Sequence, residues 1–150
     1  MSADLRDLYQ EIILDHSRHP HNAGELADAT GQAQGNNPLC GDRVTVYVKI
    51  SDGRVDDARF VARGCAISVA SASMMTDAVK GKRVAEAGRI FDRFLKQLTA
   101  EDAPATEKEE PLGALMGVRE FPTRVKCATL PWHTFVAALK GSNGTDITTE

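Results

Sequence analysis

Residues 4 to 16 place Leu5, Leu8, Tyr9, Ile12 and Ile13 at helical spacing, which predicts an amphipathic helix. The segment HSRHPHN ends it, because Pro20 pushes His19 out of the helical region. Residues 30 to 36 suit a short strand. In residues 43 to 50, Val44, Val46, Val48 and Ile50 alternate with Arg43, Thr45, Tyr47 and Lys49. Strict period two predicts a half-buried strand. Ser51-Asp52-Gly53 follows, and Asp-Gly is a strong hairpin signal. The return strand runs from about Arg54 to Val61, with Ala58 and Phe60 on one face.

Helical patterns then take over. Residues 66 to 79 are rich in small side chains, which let a helix approach a sheet closely, and stop at Gly81. Residues 84 to 98 carry Val84, Ala87, Phe91, Phe94, Leu95 and Leu98 at helical spacing. The stretch 99 to 111 is acidic and polar with two prolines, and reads as an exposed loop or linker. Residues 112 to 116 suit a short helix. Residues 123 to 139 form a last helical region, with Ala128, Trp132, Phe135, Val136 and Leu139 on one face. Pro131 either kinks one helix there or starts a second, with Thr129 as its cap. The tail from about 141 reads as disordered.

A chain of 150 residues suits one domain with a single core, and its 42% hydrophobic content supplies one. The net charge of −3 argues against an electrostatic nucleic-acid binder. The apolar run Ile12-Ile13-Leu14 is too short for a signal peptide or membrane span, so the expected location is the cytoplasm, with no membrane partner.

The three cysteines, Cys40, Cys65 and Cys127, change this picture. An odd number cannot pair fully, and a reducing compartment disfavours disulfides. One reading is three buried free thiols acting as small apolar residues. The hairpin offers another. A two-residue Asp52-Gly53 turn sets Cys40 opposite Cys65, but it also sets Val46 against Arg59. A one-residue change of loop brings Val46 or Val48 onto Ala58 or Phe60, which suits a core better, and puts Cys40 opposite Gly64 or Ala66. If pairing persists to the strand ends, the two thiols are neighbours, with Cα atoms about 5 to 7 Å apart. Asp42 shares the face of Cys40, and Gly41 between them permits a bend. Cys65 precedes a predicted helix, whose N-terminus lowers a thiol pKa, and Cys127 lies near the start of the last helical region. Cys40, Asp42, Cys65 and Cys127 together match the four ligands of tetrahedral zinc. Arg43, Arg63, Arg124 and Lys126 flank them and offset excess negative charge, or simply face solvent. His16, His19, His21 and His133 are weaker ligand candidates, for which surface or capping roles are the expectation.

The stretches NNPLCGDRVTVYV, GCAISVASASMMTDAVKGK and RVKCATLPW, taken together, resemble the U-type iron–sulfur scaffold family of IscU, the NifU N-terminal domain and SufU, across residues 4 to 140. The resemblance implies an α+β fold: a small three-stranded antiparallel sheet packed with about five to six helices, in one domain spanning 1–150. Three departures from IscU point to the SufU branch. Lys126 stands where IscU has a histidine, residues 99 to 118 look inserted, and FPTRVK replaces the Leu-Pro-Pro-Val-Lys chaperone motif. That branch implies a zinc-dependent sulfurtransferase, or desulfurase-activating sulfur acceptor, which takes persulfide sulfur from a SufS-type cysteine desulfurase. It carries the Zn2+ ligands over to Cys40, Asp42, Cys65 and Cys127, and the sulfur acceptor to Cys40, with Arg124 as a supporting residue. Downstream partners would be a SUF scaffold or apo acceptor proteins.

The alternative is a scaffold for de novo [2Fe–2S] assembly and transfer, using Cys40, Cys65 and Cys127 with Asp42 as a labile ligand. There the cofactor is a transient cluster or iron. Absence of the IscU histidine argues against a stably self-held cluster. A zinc-stabilised adaptor without chemistry of its own is a further reading.

Overall fold

The computed structural model describes residues 3–38, 40–99, 115, 117, 118, 121–140 and 145–148. Helix α1 (Ala3–Arg18) leads into strand β1 (Gly31–Asn37), then β2 (Asp42–Ser51) and β3 (Arg54–Arg63). Helices α2 (Ala66–Val79), α3 (Val84–Thr99) and α4 (Pro122–Leu139) follow, and β4 (Thr145–Thr148) closes the order. The sheet order is β3-β2-β1-β4. The first three strands pair antiparallel, as expected, and β4 joins β1 in parallel. Part of the tail expected to be disordered is therefore a sheet strand.

The hairpin resolves the conflict between turn chemistry and core pattern. Asp52 and Gly53 both have positive φ, 52° and 74°, as a two-residue turn between right-twisted strands requires. Near the turn Ile50 faces Val55, but Lys49 faces Asp57, so Asp56 is the extra residue of a bulge. Beyond it Val46 faces Phe60 and Val48 faces Ala58. The turn keeps its favoured length, and the bulge supplies the one-residue shift that the buried face demands.

One face of the sheet carries Ala33, Val44, Val46, Val48, Val55, Ala58 and Phe60, all buried. The inward positions Gly31, Ala33 and Gly35 of β1 are small, and at Gly35 α4 lies so close that a Cβ would stand 2.1 Å from Thr134 Oγ1. α2 is buried on most sides, which explains its run of alanine, serine and methionine. Its Ser71 hydroxyl donates to the Ala128 carbonyl of α4 at 2.5 Å.

Pro131 neither breaks α4 nor starts a new helix. A mid-helix proline removes one intrahelical hydrogen bond and costs about 3 kcal/mol in isolation. Here the burial of Leu130, Trp132 and Phe135 around it offsets that cost. Among the described residues there are thus four helices rather than five or six. The helix expected over 112 to 116 falls largely outside the described residues, as does most of the suggested insertion over 99 to 118; Leu115 and Val118 within it are buried.

Among the described residues the edge strands are β3 and β4, and β3 is partly covered. β1 is paired by β4. Along β3, Gly24 N–H donates to the Phe60 carbonyl (2.8 Å), Phe60 N–H to Asn22 (3.3 Å), and Val55 N–H to Lys82 (2.8 Å). Among the described residues, no helix is long and apolar enough to cross a membrane.

Candidate metal centre

The site forms where the hairpin strands end. β1 stops at Asn37, paired with Asp42, the first residue of β2. In the loop between them, Cys40 N–H donates to the Asn37 carbonyl at 3.2 Å. Gly41 takes φ +72°, a left-handed conformation that glycine adopts without strain. Asp42 is 2% exposed, so its carboxylate needs partners. Cys65 N–H donates to Asp42 Oδ1 at 2.8 Å, and Cys65 Sγ lies 3.8 Å from Asp42 Oδ2.

Gly64 makes this approach possible. With φ +146°, it passes so close that a Cβ would stand 2.2 Å from Asp42 Oδ1 and 2.8 Å from Asp42 Cα. Cys65 is the N-cap of α2 and makes no side-chain cap bond, so its thiol is not committed to the helix end.

Cys127 reaches the same point from α4. Its Sγ lies 3.3 Å from Cys40 Sγ and accepts from Asn37 Nδ2 at 3.6 Å. One ligand atom from each of Cys40, Asp42 and Cys127 lies within 4.8 Å of the other two. Three of the four candidate ligands are therefore gathered, and Cys65 stands outside that limit, attached through Asp42. The expected Cys40–Cys65 cross-strand pair does not form by the ladder, because pairing stops at Arg43 and Arg63. The sulfur neighbour of Cys40 is Cys127 instead.

Burial pushes the Cys127 thiol far above its ordinary value, reinforced by hydrogen bonds to Asp42 and Cys40 and the charge of Cys65. Packing several would-be anions together without a cation is unfavourable, and a bound cation reverses the effect by deprotonating a coordinating thiol outright. The donor set fits a borderline-soft ion. Zn–S bonds of about 2.3 Å in a tetrahedron set sulfurs about 3.8 Å apart, so the 3.3 Å pair needs only slight opening. The Arg124 guanidinium is held more firmly protonated by a hydrogen bond to Cys127, then by the charge of Cys65, Cys127 and Cys40. Arg43 and Arg63 face each other across the strands beside a shallow cleft of about 250 Å³ next to Asp42.

Sequence reasoning missed two contributors, Asn37 and Gly64. The Asn-Asn-Pro run before Cys40 marks a turn but does not show that Asn37 is buried against Cys127. None of the histidines enters the cysteine group among the described residues. His16 is buried rather than at the surface, and burial lowers its pKa, aided by His21. His133 packs edge-on against Phe91 at 5.1 Å.

A three-stranded antiparallel core sheet backed by helices, with thiols and a carboxylate converging at its end, defines a small α+β cysteine-ligand domain. The chain belongs to the NifU-like N-terminal domain family, whose model matches residues 8–140. It is 41% identical over 138 residues to the iron–sulfur cluster assembly scaffold protein IscU of Streptococcus pyogenes serotype M1, covering 92% of this chain and 86% of that protein. It is 40% identical over 145 residues to the zinc-dependent sulfurtransferase SufU of Bacillus subtilis, covering 95% and 98%. A crystal structure from Fervidobacterium islandicum, titled as a candidate iron–sulfur cluster assembly scaffold for the SUF system, superposes with a TM-score of 0.79 at 32% identity, covering 89% and 98%.

Proposed function

We propose that this protein is a zinc-dependent sulfurtransferase of iron–sulfur cluster biogenesis, accepting persulfide sulfur on Cys40 from a SufS-type cysteine desulfurase. The supporting observation is the placement of Cys40: half-buried, on the loop between β1 and β2, with its sulfur 3.3 Å from buried Cys127. Of the three gathered ligands it is the one carried by a turn, Asp42 starting β2 and Cys127 lying in α4. The Bacillus subtilis relative's name agrees with this reading.

Cys40, Asp42, Cys65 and Cys127 would hold Zn2+, which when bound keeps the thiols deprotonated at neutral pH. The Cys40 thiolate attacks the outer sulfur of the partner's cysteine persulfide. A new S–S bond forms on Cys40 as the partner's S–S bond breaks, and the partner thiolate leaves with the electron pair. The sulfane sulfur moves without net oxidation. Arg124, beside the sulfurs, offsets their negative charge during the exchange. An acceptor thiolate on a SUF scaffold or an apo protein in the cytoplasm then takes the sulfane sulfur, the Cys40 thiolate leaving with the electron pair, the whole of 1–150 acting as one domain with an insertion over 99–118. Cys40→Ser should abolish stimulation of desulfurase turnover while melting close to the wild type; full stimulation by that variant would refute the role.

The Streptococcus pyogenes relative's name favours a second reading, a scaffold for [2Fe–2S] assembly on Cys40, Cys65 and Cys127. Anaerobic reconstitution followed by visible absorption separates the two: a stoichiometric, transferable cluster supports the scaffold.

A further inference from the structure

A second group of ligand-type side chains lies away from the cysteines. α1 contributes His16, the turn after it His21, and α2 Asp77, with one ligand atom from each within 4.8 Å of the other two. Several contacts bring them together. Ser73 Oγ lies 2.7 Å from His16 Nδ1 and accepts His21 N–H at 2.8 Å. Asn22 holds a left-handed φ of 59°, uncommon and strained for a non-glycine residue. Its amide donates to Asp77 Oδ1 and Thr76 Oγ1, each at 3.0 Å. The His16 and His21 rings stand 4.6 Å apart, and His21 Nδ1 lies 2.5 Å from Asp77 Oδ2.

As a surface ion pair, His21 and Asp77 contribute little to stability, since their side chains are 49% and 40% exposed. As a donor set, two imidazoles and a carboxylate are the combination that zinc and non-haem ferrous iron accept. We propose that His16, His21 and Asp77 form a second cation site, taking a divalent first-row transition ion through two imidazole nitrogens and a carboxylate oxygen.

The entering ion takes the place of the hydrogen between His21 Nδ1 and Asp77 Oδ2, a neutral imidazole then carrying its N–H at Nε2. Donors about 2.0–2.2 Å from an ion lie about 3.4 Å from one another, so the 2.5 Å pair of His21 and Asp77 opens while longer separations within the group close. His16, buried and pinned by Ser73, is the fixed member; the two half-exposed side chains make the adjustment. Three protein donors leave a position open to water, unlike a closed four-ligand site. Without sulfur donors, this site exchanges its ion more readily than the thiol group does.

The test is equilibrium dialysis of the full chain as purified, against Zn2+ and, anaerobically, against Fe2+, with thiol reactivity followed in parallel. For at least one ion, wild-type protein should bind one equivalent more than His21→Gln or Asp77→Asn, with thiol reactivity unchanged by either substitution. Both replaced side chains are half-exposed, so melting curves should stay near the wild type. Equal stoichiometry and affinity in wild type and variants, in both arms, would overturn the proposal.

Discussion

The two ligand groups sit near the two ends of one helix and are built by different means. Cys65 precedes the first residue of α2 and Asp77 lies in its last turn, about 18 Å further along the axis. At the cysteine end, backbone termini do the positioning: a hairpin loop, a glycine without a side chain, and a helix start converge on buried Asp42. At the histidine end, side-chain hydrogen bonds through Ser73 and Asn22 draw together His16 of α1, His21 of the following turn and Asp77 of α2. The first arrangement depends on backbone space and tolerates almost no added atom. The second depends on partners and tolerates exchange, because two of its members face solvent.

Three perturbations sharpen that contrast. The largest effect is expected for Trp132→Ala, which belongs to neither group. Trp132 is fully buried in α4, five residues from Cys127, with its ring centroid 5.8 Å from that of Phe91 and 5.0 Å from that of Phe94. Its loss should cost about 3–5 kcal/mol in a urea titration and weaken cation binding at both ends alike. Selective weakening of one end would break the view that α4 and α2 share a single core.

Gly64→Ala comes next. The added methyl meets Asp42 backbone and carboxylate, at a positive φ. Overpacking of this kind costs about 1–3 kcal/mol. It should impair metal retention and sulfur transfer at the cysteine end while leaving the His21- and Asp77-dependent binding intact. A variant with normal metal content would show that Asp42 has room to move.

The smallest effect is a pair of opposite pH signatures. Burial holds His16 and His133 below their ordinary value of 6.5, so the unfolded chain binds more protons in that region. Stability is therefore present above pH 6.5 and falls as pH drops toward the depressed values. Cys127 is shifted the other way, above its ordinary 9.0. In chelator-stripped protein its contribution is present below pH 9 and lost as pH rises beyond it. Metal-loaded protein should lack the alkaline loss, because coordination already removes the proton. Denaturation midpoints from pH 5 to 10, with and without chelator, check both limbs.

Much of this architecture was legible in the amino-acid order. The alternation Val44, Val46, Val48 and the Asp52-Gly53 turn dictated the hairpin, because period-two burial and left-handed turn residues leave few other options. The bulge at Asp56 was not legible, since no residue there announces an extra position; only the mismatch between turn length and core pattern hinted at it. Cys40, Asp42 and Cys127 lie together while Cys65 stands apart, and the partner of Cys40 is set by how α4 docks, a long-range contact that spacing cannot encode. Pro131 misled by local rule, because tertiary burial outweighed the lost hydrogen bond. The grouping of His16 and His21 with Asp77 was hidden because it spans more than fifty residues of chain.

The partly covered β3 edge carries a last consequence. Recognition by strand addition needs a row of unpaired amides and carbonyls. β3 has part of its outer ladder filled by the segment around Asn22–Gly24 and by Lys82, and β4, the other edge strand, is short. A strand added alongside β3 would therefore find few free rungs, and the outer side of β4 offers at most a four-residue ladder.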